Sequence, residues 1–121
     1  MDTEILALEI ATGLEDKLGF NIIILDVEAL VGYASHFVIA SGRSERQVQA
    51  LADHIKNKMK SEHDVRPLSI EGTQVGKWAL VDFGDVVVHI FREDERDFYD
   101  LEGLWRDAPR VERSAVAQAA Q

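Results

Sequence analysis

The sequence predicts an α/β domain, a small mixed β-sheet with helices packed mainly on one face. Three observations carry that expectation. Two segments repeat apolar residues at helical spacing, two short runs are rich in β-branched residues, and one stretch alternates about a two-residue turn. At 121 residues the chain fits one domain, long enough to bury a core without cross-links.

The first helix is predicted over Thr3 to Leu18, where Ile5, Leu6, Leu8, Ile10, Leu14 and Leu18 recur at three- and four-residue spacings. Asp2 or Thr3 serves as its N-cap and Gly19 ends it. Asn21 to Val27 follows, an apolar run that reads as a strand buried on both sides. A second strand, Phe37 to Ala40, leads through Gly42 to Ser44. Ser44 with Gln47 three residues later forms a capping box that opens the next helix. Val48, Leu51, Ala52, Ile55 and Met59 make its apolar stripe, which ends near Lys60. Ser61 to Lys77 is mostly loop, with a short strand about Leu68 to Glu71.

Lys77 to Phe91 is the clearest local signal. Two β-rich runs flank Gly84-Asp85, a loop that suits a type II′ hairpin turn because glycine comes first. Beyond it, the charged stretch Arg92 to Asp107 carries Tyr99, Leu101, Leu104 and Trp105 on a short helix packing back. The domain is assigned to residues 1–108. The remainder, 109–121, lacks a substantial apolar face and is expected to be a mobile tail.

The hairpin register separates two faces. One carries Ala79, Val81, Phe83, Val86, Val88 and Ile90, wholly apolar, and helices must cover it. The other carries Trp78, Leu80, Asp82, Val87, His89 and Phe91. Asp82 and His89 need partners if sealed from water, and a tryptophan–phenylalanine pair with a polar rim has the composition of an interaction hot spot. Either this face meets a partner, or a helix, the C-terminal segment or a second copy covers it.

Composition narrows the function further. The formal net charge of −9 opposes direct nucleic-acid binding, for which clustered positive charge is needed, and suits a basic protein partner. With no cysteine there is neither a disulfide nor a thiolate nucleophile. No apolar run approaches the roughly 20 residues of a membrane span, and Met1-Asp2-Thr3-Glu4 is acidic where a secretory signal is basic. A cytoplasmic protein without membrane attachment is expected.

Chemistry is weakly encoded. His36, His54, His63 and His89 show no metal-ligand spacing, so no metal or cofactor is expected. Asp82 lies diagonally from His89, an acid–base arrangement to set against a satisfied histidine. The Gly42-Arg43-Ser44 turn at a helix start could hold phosphate. A nucleotidyltransferase-type, nucleotide-binding enzyme with Ser44 on phosphate and Asp82 on metal is the alternative reading. It lacks the paired strand carboxylates that such chemistry needs, and neither common phosphate-loop motif is present.

These residues also carry a resemblance. Phe37-Val38-Ile39-Ala40-Ser41-Gly42-x-Ser44, Glu71-Gly72, the run from Trp78 to Phe91, and Phe98-Tyr99-Asp100-Leu101-Glu102-x-Leu104-Trp105 are similar to the ribosomal silencing factor (Iojap-like) family. The similarity runs from about Thr3 to Ala108. It implies a nucleotidyltransferase-like fold without catalytic machinery. It further implies a translational repressor that binds the large ribosomal subunit at its fourteenth ribosomal protein and blocks small-subunit joining when nutrients are short. The implied partner-binding residues are Trp78 and Phe91 as aromatic anchors and Asp82, His89 and Glu71 as polar or charged contacts, with Tyr99 and Leu101 as neighbours. A homodimer is a further expectation from the family. Ser35-His36 stands where the family usually has Asp-Tyr, a departure that touches a contact or the dimer surface.

Overall fold

The computed structural model describes residues 1–113. Helix α1 (Thr3–Asp16) opens on Asp2, whose Oδ1 accepts from the Glu4 N–H at 2.8 Å and satisfies one otherwise orphaned donor. The helix stops short of the predicted Leu18 because Leu18 turns to φ +65°, and the Gly19 N–H returns to the Leu14 carbonyl. Strand β1 (Phe20–Asp26) and the short helix α2 (Glu28–Val31) follow. Strand β2 (His36–Gly42) is buried throughout.

Helix α3 (Glu45–His63) starts where the capping box places it. Ser44 Oγ accepts from the Gln47 N–H at 3.1 Å. The Gln47 side chain reaches one residue further upstream than a reciprocal box requires, and its Oε1 accepts from the Arg43 N–H at 2.6 Å. Its amide also donates to the carbonyls of Lys17 and Leu18, tying the start of α3 to the end of α1.

Strands β3 (Ser69–Glu71), β4 (Trp78–Asp82) and β5 (Val86–Arg92) complete a five-stranded mixed sheet ordered β1-β2-β5-β4-β3. Only β2 and β5 run parallel. The hairpin register is the predicted one: Asp82 pairs with Val87, and the Phe83 N–H donates to the Val86 carbonyl at 2.9 Å. Gly84 sits at φ +93° in the first loop position, as a type II′ turn demands.

Two hydrophobic clusters lie on opposite sides of the sheet. On the first, Ile10 and Leu14 of α1 and the predicted stripe of α3 close over Ala79, Val81, Val86, Val88 and Ile90, all without solvent exposure. Phe83, expected with them, is half-buried at the rim. β1 is an edge strand, and its burial on both sides is confined to its end, with Ile24 in the first cluster and Leu25 in the second.

The C-terminal segment departs from expectation twice. Instead of one short helix there are two, α4 (Glu93–Tyr99) and α5 (Leu101–Leu104). Asp100 separates them with φ +46°, a left-handed conformation that aspartate tolerates, and its carboxylate accepts from the Gly103 N–H at 3.2 Å to cap α5. Nor do the first residues of the predicted tail, 109–113, stand apart from the rest of the fold. The Asp26 N–H donates to the Pro109 carbonyl and the Val111 N–H to the Ile24 carbonyl, so the chain pairs with the outer edge of β1. Arg113 forms an ion pair with Glu15. The rest of the expected tail, residues 114–121, lies outside the described residues. Among the described residues no helix is long and apolar enough to cross a membrane.

Candidate partner-binding face

The second face of the sheet is built around Trp78 on β4. Its ring stacks on Phe91 of the neighbouring strand, with centroids 4.8 Å apart and planes 29° off parallel. Tyr99, at the end of α4, lies against it at 4.8 Å. The Trp78 Nε1–H donates to His89 Nδ1 at 3.3 Å. Because an indole nitrogen only donates, Nδ1 must accept, and the imidazole proton sits on Nε2. Burial holds His89 down to about 4, so the ring is neutral near pH 7. Its Nε2 is buried without a partner.

Beyond His89 the aromatic contacts continue inward to Phe37, edge-on at 5.0 Å, and from Phe37 to Trp105 at 5.9 Å. Phe91, Phe37, Leu25, Val27 and Ile39 form the second core cluster, closed by Ala108, Leu101 and Trp105 from the C-terminal segment. Two expectations are corrected here. Phe91 has no exposed surface and supports Trp78 from below rather than offering itself as an anchor. Leu101 is half-buried in the same cluster and packs rather than projects. The C-terminal segment covers this half of the face because its own apolar residues have nowhere else to bury.

The other half stays open. Trp78, Leu80 and Asp82 on β4 are half-buried, and Glu71 lies exposed directly across from Leu80. Leu80 and Trp78 share a hollow with Glu71 and Gly72. At Gly72, φ is +80° and a Cβ would fall 2.0 Å from the Trp78 carbonyl, so only glycine lets β4 pass. On one side of this strip Tyr99, Phe98 and Leu104 project, the last two with 79% and 70% exposure. On the other stand Tyr33 and Leu68, at 67% and 76%. A run of large apolar side chains across one face exceeds the scattered exposure of an ordinary surface.

Trp78, Leu80, Asp82 and His89 are therefore brought together as the hairpin register predicts, and Glu71 and Tyr99, which the resemblance implies, lie beside them. Asp82 and His89 do not form an acid–base pair; Asp82 Oδ1 instead accepts from the Gly84 N–H at 2.7 Å. Sequence reasoning missed Tyr33 and Leu68, lone apolar residues in loops with no periodicity to mark them. It also missed Arg96, which is buried and donates to the Asn21 carbonyl, Ser41 Oγ and Glu102, pinning α4 onto β1 and β2.

The enzymatic alternative is not assembled. Asp82 pairs with Val87, whereas α3 begins just after Gly42, which pairs with Arg92. Five strand positions separate the two levels, roughly 16 Å at the usual rise. The cradle at the start of α3 is itself filled by the Gln47 side chain. The one group among the described residues with a metal-like set of ligand atoms, Glu9, Glu62 and His63, lies between α1 and α3, away from this face, with His63 Nε2 3.6 Å from a Glu9 carboxylate oxygen.

The chain as a whole is similar to known proteins. A family model described as "Ribosomal silencing factor during starvation" matches residues 1–121. The chain is 44% identical over 99 residues to a Bacillus subtilis protein named ribosomal silencing factor RsfS, covering 82% of this chain and 83% of the relative. It is 33% identical to the chloroplast protein Iojap of Arabidopsis thaliana, covering 88% of this chain and 44% of that one. A crystal structure of a Chromobacterium violaceum protein superposes with a TM-score of 0.83 at 40% identity, covering 87% of each chain. A Bacillus halodurans structure gives 0.76 at 37% identity, over 92% of this chain and 99% of the other.

Proposed function

The chain belongs to the ribosomal silencing factor family, and on that premise we propose that it binds the large ribosomal subunit at its fourteenth ribosomal protein and keeps the small subunit from docking. The effect is to damp translation when nutrients are short. The action is steric occupancy in the cytoplasm, with no catalytic step and no cofactor. Membership of the family supports the ribosome as target, and the open strip centred on Trp78 carries the choice of surface. Trp78 is held in place from below by Phe91 and from the side by His89, so little side-chain freedom is left to lose on binding. The net charge of −9 complements a basic protein surface and favours fast encounter. A homodimer formed through the same strip would compete with the ribosome.

The test is subunit joining on sucrose gradients. Large subunits are preincubated with the protein before small subunits are added. Wild type is expected to co-sediment with the large subunit and hold the small subunit off. Trp78→Ala, verified as folded by circular dichroism, is expected to lose about 2 kcal/mol or more of binding. A folded mutant with undiminished binding moves the interface elsewhere, and a wild type that leaves joining unaffected removes the silencing reading.

A further inference from the structure

The open strip ends in a cleft of about 350 Å³ lined by Tyr33, Leu68, Leu80, Asp82, Val87 and His89, together with Gly84. Its floor is sheet, Val87 and His89, each only 6% exposed. Its walls are the largely exposed side chains of Tyr33 and Leu68, one from the loop before β2 and the other from just ahead of β3. The lining side chains are apolar apart from the Tyr33 hydroxyl, the Asp82 carboxylate and the His89 ring. Asp82 uses Oδ1 to hold the Gly84 N–H, but Oδ2 has no partner, and no cation pairs with the carboxylate among the described residues. His89 carries a proton on Nε2 with no acceptor.

A half-buried carboxylate beside aliphatic side chains is a specific request. Water solvates it poorly there, and a cation that brings its own apolar stem satisfies both the charge and the walls. A planar cation adds stacking on a phenol ring, which an ammonium does not.

We propose that this cleft is the socket for one arginine side chain of the partner protein. The methylene stem lies along Leu80 and Val87, and the guanidinium stacks on Tyr33 and donates to Asp82 Oδ2. The inference rests on the reading that this face meets a basic ribosomal protein, and it names the side chain that the face selects.

Two measurements separate the socket from that reading. In the first, the full chain is titrated with acetyl-arginine amide and followed by amide chemical shifts. Saturable shifts are expected at Tyr33, Leu80, Asp82, Gly84 and His89 at millimolar concentration. Acetyl-citrulline amide, equal in shape but neutral, should leave them unmoved. Asp82→Asn should abolish the response, since asparagine keeps an oxygen for the Gly84 N–H and preserves the turn while losing the charge. Tyr33→Ala, at an exposed wall, should weaken it without affecting folding. An arginine probe that moves none of these signals overturns the socket, and an acetyl-lysine amide that binds as well overturns its choice of arginine.

In the second, Asp82→Asn is assayed for large-subunit binding beside wild type, with an expected loss of about tenfold for one charge-assisted contact. If wild type binds and Asp82→Asn binds equally, the cleft lies outside the interface and the proposal falls while the silencing reading stands. If wild type does not bind, that reading falls, and the arginine titration alone decides the socket.

Discussion

The two faces of the sheet are made from different kinds of side chain, and their covers differ accordingly. Ala79, Val81, Val86, Val88 and Ile90 offer the first face no polar atom, and the long helices α1 and α3 seal it completely. The second face interleaves Asp82 and His89 with aromatic rings, and the short α4–α5 segment, its continuation, and Val27, Val31 and Ala34 lie over part of it. Aliphatic burial is non-directional and scales with area, so a face built of it can hold a fold together but distinguishes nothing. Aromatic rings with fixed polar tips are directional, so a face that leaves some of them open can distinguish one partner from another. The larger core sits on one side of five strands and the proposed recognition surface on the other.

The sharpest way to break that division is to damage the cohesive side. Leu51 on α3 is fully buried, and Leu51→Ala should cost about 2–5 kcal/mol, read as a lower urea midpoint at unchanged slope. Binding per folded molecule should be unaltered. A folded Leu51→Ala protein that binds large subunits poorly would show that the two faces are mechanically coupled.

The second face can be probed through protons. His89 titrates at about 4 in the folded protein against an ordinary 6.5, because burial disfavours its charged form. The unfolded chain therefore binds more protons between those limits, and stability rises with pH across them. The contribution is fully present above about 6.5 and lost as pH falls toward 4, in total on the order of 3 kcal/mol. Carboxylates add their own pH dependence, so the useful quantity is the difference between wild type and His89→Gln. That difference should be steepest between pH 4 and 6.5 and flat above. A difference curve flat across the whole range would mean that the ring is hydrated and the face looser than its geometry implies.

Much of this arrangement can be read from residue order alone. Period and turn chemistry are local, so the stripe of α3, the Ser44 cap and the Gly84-Asp85 turn emerge directly, and the turn sets which hairpin residues share a face. The parallel pairing of β2 with β5 has no local signature, because it depends on how α3 and the β3–β4 region return the chain. Burial of Phe91 was hidden for a related reason. Periodicity places Phe91 beside Trp78, but which of the two meets solvent depends on where the α4–α5 segment lands, and Arg96 decides that through bonds to Asn21 and Ser41, far away in sequence. Asp100 concealed the helix break, since a left-handed aspartate leaves no mark in composition.

The smallest expected effect tests the division most finely. Tyr99 is 47% exposed and its ring centroid lies 4.8 Å from that of Trp78, so its ring belongs to the proposed recognition side while contributing little to the core. Tyr99→Ala should cost about 0.5–1.5 kcal/mol of stability, the usual range for one aromatic pair, and less than Leu51→Ala by a clear margin. Its effect on large-subunit binding should be proportionately larger, because losing Tyr99 removes both contact area and the lateral support that holds the Trp78 ring in place. Urea unfolding and large-subunit affinity measured on the same preparations give the two losses directly. If Tyr99→Ala reduces stability as much as Leu51→Ala and leaves affinity intact, the aromatic half is a second core with an untidy edge. If the affinity falls while the fold barely changes, the open strip is kept open for a partner.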